Sequence, residues 1–156
     1  MKKLLCAVAL AGMLSLPASV SAQVQAGPIL AYHTDAEAVG IGAFVSIPLA
    51  AVAGLAIVPD FTWFFPDNVD YFEINGDVVY NFTVGPESPV LPFAFGGLNI
   101  ARTSNDFVSN TDIGLNLGGG VNFVAGSLAP FAGAKFELQD DTFFVIFGGI
   151  GFTLGG

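Results

Sequence analysis

The sequence predicts an all-β chain, an eight-stranded antiparallel up-and-down transmembrane β-barrel that follows a cleaved signal peptide. The chain is 53% hydrophobic, with 16 Phe and a mean hydropathy of +0.70. Residues 23–156 nevertheless contain no run of 18 apolar residues, the minimum for a membrane helix. Instead, segments of about 11 residues, the length of a tilted membrane strand, alternate in polarity with period two. Since only helices and closed barrels satisfy their backbone polar groups in lipid, these observations favour the barrel.

The first residues have the pattern of a secretory signal peptide. Lys2 and Lys3 supply a positive start, residues 4–16 form an apolar run, and residues 19–22 are small enough for a signal peptidase. An apolar run of about 13 residues is too short to cross ~30 Å of hydrocarbon as a helix. We therefore predict cleavage after Ala22 and export into a Gram-negative type of envelope.

Cleavage would divide the chain into a signal peptide, residues 1–22, and one barrel domain, residues 23–156. Cys6 is the single cysteine and leaves with the signal, so the barrel would have no disulfide. Arg102 and Lys135 are then the two remaining cations against 13 Asp and Glu residues. Because phosphate binding needs clustered Lys and Arg, this balance argues against nucleic acid as a partner.

Two segments show the alternation most clearly. In residues 72–82 the even positions are apolar or glycine, whereas Glu73, Asn75 and Asp77 occupy odd positions. In residues 112–123 the odd positions form the apolar row. The same reasoning predicts eight strands, at residues 27–34, 39–47, 54–64, 71–83, 91–102, 111–123, 129–138 and 143–154.

The polar rows should face the barrel interior. This inward set is Glu73, Asn75, Asp77, Phe93, Phe95, Asn99, Asp112, Asn116, Asn122, Lys135 and Glu137. A buried Lys must be paired or lose its charge, so Lys135 should neutralise Glu137 on its own strand, or Glu73 or Asp77 across the lumen. Because side chains can fill an eight-stranded barrel, we expect a plugged lumen with the inward phenylalanines toward the periplasmic end.

Proline and glycine residues fall mostly between the predicted strands. Pro59 and Pro92 are exceptions, because both lie inside predicted strands where a missing N–H interrupts pairing. We expect a bulge or a shifted strand boundary at each. Strands 27–34 and 54–64 alternate poorly, so the sequence does not assign their faces.

The acidic residues collect at one end of the predicted barrel. Eight strands in series place both chain ends in the periplasm, so four connections, 35–38, 65–70, 103–110 and 139–142, face the cell exterior. They carry Asp35, Glu37, Asp67, Asp70, Asp106, Asp140 and Asp141, whereas the inner turns 48–53, 84–90 and 124–128 carry only Glu87. Aromatic residues near the strand ends suggest two membrane girdles. The outer group is Trp63, Phe64, Phe65, Tyr71, Phe72, Phe143 and Phe144, and the inner group is Tyr80, Phe82, Phe123 and Phe152.

Residues 92–99, 114–121 and 130–136, together with the last strand at 143–154, resemble small eight-stranded outer-membrane barrels. This family includes outer membrane proteins A and X and the opacity-type proteins. The resemblance implies a monomer in the outer membrane that contacts lipids and lipopolysaccharide and is inserted by the barrel-insertion machinery. In one departure, Phe152 is followed by four more residues, whereas such barrels usually end on an aromatic residue that this machinery recognises.

Catalysis by a nucleophilic triad is the first site hypothesis. Lipid-modifying barrels place a His, a Ser and an acid at the outer rim, and the candidates here are His33, Asp35, Ser104 and Ser109. No motif joins them, and a rim histidine is usually a solvated polar residue. We therefore expect no catalytic residues, and His33 to be exposed to solvent.

Metal and cofactor binding have equally weak sequence support. Asp140 with Asp141, or Asp67 and Asp70 with Asn68, could offer oxygen ligands, but neither has the spacing of a calcium loop. The glycines in residues 114–120 precede no Lys-Ser/Thr pair and no helix, so they do not form a phosphate loop. They fit better as inward glycines where strands close tightly, and we expect no metal or cofactor.

The sequence thus indicates a small outer-membrane protein with a structural or surface role and no enzymatic activity. A narrow, porin-like channel for small solutes is the main alternative. A lipid-modifying enzyme and a soluble periplasmic barrel of lipocalin type are two further alternatives.

Overall fold

A computed structural model of the protein describes residues 23–155, so the predicted signal peptide and Gly156 lie outside the described part. The eight strands are β1 (Gln25–His33), β2 (Ala38–Pro48), β3 (Leu55–Phe64), β4 (Asp70–Asn81), β5 (Val90–Ser104), β6 (Ser109–Phe123), β7 (Leu128–Leu138) and β8 (Thr142–Thr153). The predicted number and order of strands are confirmed, and the predicted boundaries differ by only one or two residues.

The strands form one closed barrel in sequence order. Each strand pairs antiparallel with the next, and β8 pairs antiparallel with β1 from Gln25↔Thr153 to His33↔Val145. Between residues 23 and 155, no helix is long and apolar enough to cross a membrane. Closure leaves no free sheet edge, so the strands satisfy one another's backbone polar groups.

The bulges expected at two prolines are absent. Pro59 lies inside β3 and pairs with Gly76 in an unbroken register. Toward β2 the pairing stops at Phe44↔Asp60 and resumes at Ile47↔Ile57 in the same register. Pro92 lies inside β5 opposite Val121, also without a register change. The sequence-based expectation was wrong because a missing N–H removes a hydrogen bond from the ladder without requiring an extra residue.

Side chains alternate between the lumen and the outer surface as predicted for β4, β6 and β7. Leu117 on β6 and Phe136 on β7 are exposed outside, whereas Asn116 and Lys135 beside them in sequence are buried inside. The structure also assigns the faces of β1 and β3. Ile29, Ala31 and His33 point inward from β1, and Ala56, Val58, Asp60, Thr62 and Phe64 point inward from β3.

The two ends of the barrel differ in charge. The connections 34–37, 65–69, 105–108 and 139–141 share one end, which we call the acidic end because six of the acidic residues lie in them. The turns 49–54, 82–89 and 124–127 share the opposite end, where Glu87 is the one acid in a turn. This distribution matches the sequence prediction.

The outer girdle is smaller than predicted. Phe64 is 1% exposed and stacks on Tyr71 inside the lumen, and Phe143 packs against the ring of His33. These three aromatics were wrongly placed on the outer surface, because position near a strand end does not determine which face a residue takes. Trp63 and Phe65 are exposed outside as predicted.

Inward glycines make room for large side chains from neighbouring strands. A Cβ atom on Gly118 would lie 2.7 Å from the Phe95 ring, and one on Gly120 would lie 2.8 Å from the Phe93 ring. Such distances are too short for carbon atoms in contact. The glycine-rich part of β6 therefore serves packing, as the sequence predicted.

Candidate functional site

The candidate site lies inside the lumen, where a buried charged cluster joins β1, β4 and β7. The cluster consists of His33, Tyr71, Glu73, Lys135 and Glu137. The Lys135 ammonium lies 2.8 Å from Glu137 Oε1 and 3.3 Å from Glu73 Oε2. Both carboxylates have 0% exposure. Lys135 thus pairs with two of the three predicted partners, and Asp77 is not among its ion pairs.

The two carboxylates of the charged cluster are not held in the same way. Glu73 accepts hydrogen bonds from the Tyr71 hydroxyl and from the Lys135 ammonium. Neither oxygen of Glu137 has a partner in hydrogen-bonding geometry among the described residues. The 2.8 Å contact of Glu137 with Lys135 is therefore an ion pair without favourable hydrogen-bond angles. Loss of the lysine would therefore leave Glu137 as a fully buried carboxyl group without its nearest cation.

His33 is not the solvated rim residue expected from the sequence. It is 3% exposed, and its Nε2 lies 3.7 Å from Glu137 Oε2. Its ring packs edge-on against Phe64 and Tyr71, and its Nδ1 accepts a hydrogen bond from the Ala36 backbone N–H. The sequence expectation failed because the poor alternation of the first strand concealed the inward direction of this residue.

Next to the charged cluster, on the side away from the acidic end, polar side chains are joined through asparagine amides. We call this group the amide chain, and its members are Asp60, Asn75, Asp77, Asn99 and Asn116. Asn99 donates to Asn75 Oδ1 at 2.8 Å, and Asn75 donates to Asp60 Oδ1 at 2.8 Å. Asn116 donates to both Asn75 Oδ1 and Asp77 Oδ1. We call the charged cluster and the amide chain together the septum. It draws side chains from six of the eight strands.

The septum lies between two separate cavities. One, of about 460 Å³, is lined by His33, Tyr71 and residues of the acidic-end connections. The other, of about 660 Å³, lies toward the opposite end. No residue lines both cavities, and the buried side chains of the septum lie between them.

A phenylalanine cluster forms the wall of the larger cavity. Phe44 contacts Phe131 with ring centroids 5.0 Å apart, Phe131 contacts Phe147, and Phe147 contacts Phe95. Phe95 in turn lies beside Phe93 at 6.1 Å. The prediction that Phe93 and Phe95 pack inside, toward the periplasmic end of the predicted topology, agrees with this arrangement.

The candidate triad is not assembled. Ser104 and Ser109 pair with each other at the β5–β6 hairpin, and neither lines the acidic-end cavity beside His33. Asp35 instead accepts hydrogen bonds from Thr34 and from the Phe144 backbone N–H.

The acidic residues considered as metal ligands are distributed around the rim. Asp140 and Asp141 line the acidic-end cavity, whereas Asp67 and Asp70 are exposed and do not line it. A closer group of possible ligands is His33, Glu73 and Glu137, whose candidate atoms lie within 4.8 Å of one another. The Lys135 ammonium already contacts both carboxylates and supplies the positive charge that a metal ion would bring.

Three members of the septum were missing from the inward set predicted from the sequence. One is His33, which was expected to be a solvated rim residue, and the others are Asp60 and Tyr71. Asp60 lies on β3, whose alternation is interrupted by Pro59, and Tyr71 was assigned to the outer girdle. The inward row of β4 begins with Tyr71 and continues through Glu73 and Asn75. Continuing the alternation of β4 from Glu73 back to Tyr71 would therefore have predicted that Tyr71 faces the lumen.

The fold is similar to those of small outer-membrane barrels. The chain resembles the N-terminal β-barrel domain of Pseudomonas aeruginosa OprF, with a TM-score of 0.71 and 15% identity over 85% of this chain and 97% of that one. It also resembles Neisserial surface protein A, with a TM-score of 0.61 and 17% identity over 85% of this chain and 95% of that one. A third similar structure is Ail, the attachment invasion locus protein of Yersinia pestis, with a TM-score of 0.57 and 14% identity over 85% of this chain and 97% of that one.

No protein-family model and no curated protein matches this chain. The structural similarity confirms the predicted fold class, a closed antiparallel eight-stranded barrel, and its likeness to small outer-membrane barrels. At these identities it establishes the architecture alone. What the barrel does must be argued from its own surface and lumen.

Proposed function

We propose that this protein is a monomeric integral outer-membrane barrel with a structural or surface role, a sealed lumen and no catalytic activity. The observation that carries the proposal is its inverted polarity. Large apolar side chains such as Leu30, Ile113 and Leu117 are more than half exposed, whereas Glu73, Asn99 and Glu137 are fully buried. A protein surrounded by water has the reverse arrangement.

The outward rows favour a membrane protein over the soluble lipocalin-type alternative. Exposed apolar residues occur on every strand and form a continuous belt rather than one patch. Soluble monomers rarely expose contiguous apolar patches larger than a few hundred Å². An apolar band with aromatic residues at its borders is what a lipid bilayer requires of a barrel.

The orientation of the barrel in the membrane and its lipid partners follow from the difference in charge between its two ends. Residues 23 and 155, the ends of the described part, lie at the end opposite the acidic end, and we place that end in the periplasm, as in the sequence-based topology. The acidic end then faces the cell exterior, where its carboxylates can meet lipopolysaccharide through divalent cations. Insertion would depend on the barrel-insertion machinery after removal of the signal peptide.

Cell fractionation tests the location. The protein should co-sediment with outer membranes, and its gel mobility should differ between unboiled and boiled samples because a closed barrel resists detergent. Recovery in the soluble periplasmic fraction, with one mobility in both samples, would support the lipocalin-type alternative and refute the proposal.

Conductance tests the sealed lumen against the channel alternative. The septum lies between the two cavities, and the interior of an eight-stranded barrel is just wide enough for side chains to fill it. We expect no steady ion current from the purified protein in planar bilayers. Reproducible unitary currents that scale with salt concentration would show that the septum does not close the lumen.

A further inference from the structure

The larger cavity has the size and the composition of a ligand-binding site. Its volume of about 660 Å³ is within the range of small-molecule pockets. The mouth lies among the turns 49–54 and 124–127 at the end opposite the acidic end, and the phenylalanine cluster forms the wall. A cavity with a largely apolar wall and its charged groups in one place is typical of sites that orient a ligand.

All charged residues that line this cavity lie at its floor, where it meets the septum. They are Asp60, Glu73, Asp77 and Lys135. The positive charge of Lys135 is shared between Glu73 and Glu137. In the part of the chain that the structure describes, neither Asp60 nor Asp77 has a Lys, Arg or His within 4 Å. The floor therefore carries two carboxyl groups that no protein cation neutralises.

The two aspartates are also incompletely hydrogen-bonded. Asp60 Oδ1 accepts from Asn75, and Asp77 Oδ1 accepts from Asn116. For residues 23–155, no side-chain donor reaches the second oxygen of either carboxyl group, and neither oxygen is sealed from the cavity. Both residues line the cavity, so these acceptors are open to a molecule inside it.

We propose that this cavity binds a small amphiphile with one cationic nitrogen and an apolar, preferably aromatic, body. The nitrogen pairs with Asp60 and Asp77 at the floor, and the body packs against the phenylalanine cluster. Aromatic faces attract both apolar groups and cations, whereas an anionic head would meet two carboxyl groups and no free cation. The binding does not depend on the proposed location, although entry from the periplasm rests on the proposed topology.

Phenylethylammonium is a suitable probe because it combines a cationic head with an aromatic body and dissolves in water. We would titrate it into the barrel in lipid nanodiscs and follow the amide signals of Phe44 and Phe93 by NMR. The matched probes are phenylethanol, which has no charge, and 3-phenylpropanoate, which has the opposite charge. We expect saturable shifts with the ammonium probe, at least about tenfold weaker binding of the alcohol, and no binding of the carboxylate.

Variants then locate the probe. Asp60→Asn with Asp77→Asn should abolish the preference for the ammonium probe over the alcohol. Ser46→Phe, which points into the cavity, should block both probes, whereas Val45→Phe on the outward row should leave binding unchanged. A difference in gel mobility between boiled and unboiled samples verifies that each variant is folded.

The comparison of probes on the unmodified protein tests the proposal without any variant. Equal affinity for the three probes would show an apolar cavity without charge selection and would overturn it. Absence of saturable ammonium binding, or binding that survives Ser46→Phe, would overturn it as well. None of these results would affect the proposed outer-membrane location or the sealed lumen.

Discussion

Replacement of Lys135 by Met removes the single cation of the charged cluster while keeping a side chain of similar length. Two fully buried carboxylates would lose the ammonium that lies 2.8 and 3.3 Å away. One charge pair at such a distance is worth about 4 kcal/mol or more at an effective dielectric constant near 20. Two attractions are lost, but protonation of one carboxyl group would relieve part of the cost. We therefore expect the free energy of unfolding to fall by about 3–5 kcal/mol.

Urea unfolding in lipid vesicles, followed by the fluorescence of Trp63, measures this loss. Trp63 is the single tryptophan and lies on the outer surface, so its signal reports exit from lipid. Arg102→Met is the matched control, because Arg102 has no ion pair among the described residues and should change stability by less than about 0.5 kcal/mol.

A charge-free variant separates electrostatics from packing. Lys135→Met combined with Glu73→Gln and Glu137→Gln should recover more than half of the lost stability, because no uncompensated charge remains buried. A loss below about 1 kcal/mol in the single variant would refute the reasoning, since it would mean that water reaches the carboxylates freely. Failure of the triple variant to recover stability would show that the lysine acts through packing.

Three further predictions concern the surface, the topology and the packing. Leu117→Arg should cost about 2–4 kcal/mol in vesicles if the residue lies near the bilayer midplane, and a cost near zero would place this face in water. A cysteine at Asp106 should react with an impermeant thiol reagent in intact cells, and one at Glu87 should not; the reverse pattern would invert the topology. Gly118→Ala should lower the thermal midpoint of unfolding much more than Gly76→Ala, whose Cβ would meet no atom within 4 Å. Equal shifts would contradict the packing role of Gly118.

The sequence predicted the barrel well because one physical signal repeats along the chain. Strands that face lipid on one side and a polar lumen on the other must alternate strictly, and β4, β6 and β7 do so. The same alternation placed Lys135 and Glu137 inside. It could also restrict the lysine's partners to three carboxylates, two of which the structure confirms.

The parts that sequence reasoning missed lie where the alternation weakens. β1 and β3 carry small or apolar residues on both faces, so the inward direction of His33 and Asp60 was not visible. The two cavities could not be predicted either. Their position depends on which inward side chains meet across the lumen, and this follows from the register of all eight strands together.

The most direct test of the sealed lumen is the accessibility of single cysteines on the two sides of the septum. Thr103 lines the acidic-end cavity and Ser46 lines the larger cavity, and each is replaced by cysteine in a separate variant. The variants are placed in tight proteoliposomes with the acidic end outward, an orientation verified by protection of a cysteine at Glu87. A small charged thiol reagent added outside should modify the cysteine at Thr103 and leave the cysteine at Ser46 unmodified until the vesicles are permeabilised. Modification of both cysteines at similar rates in intact vesicles would contradict a septum that closes the barrel.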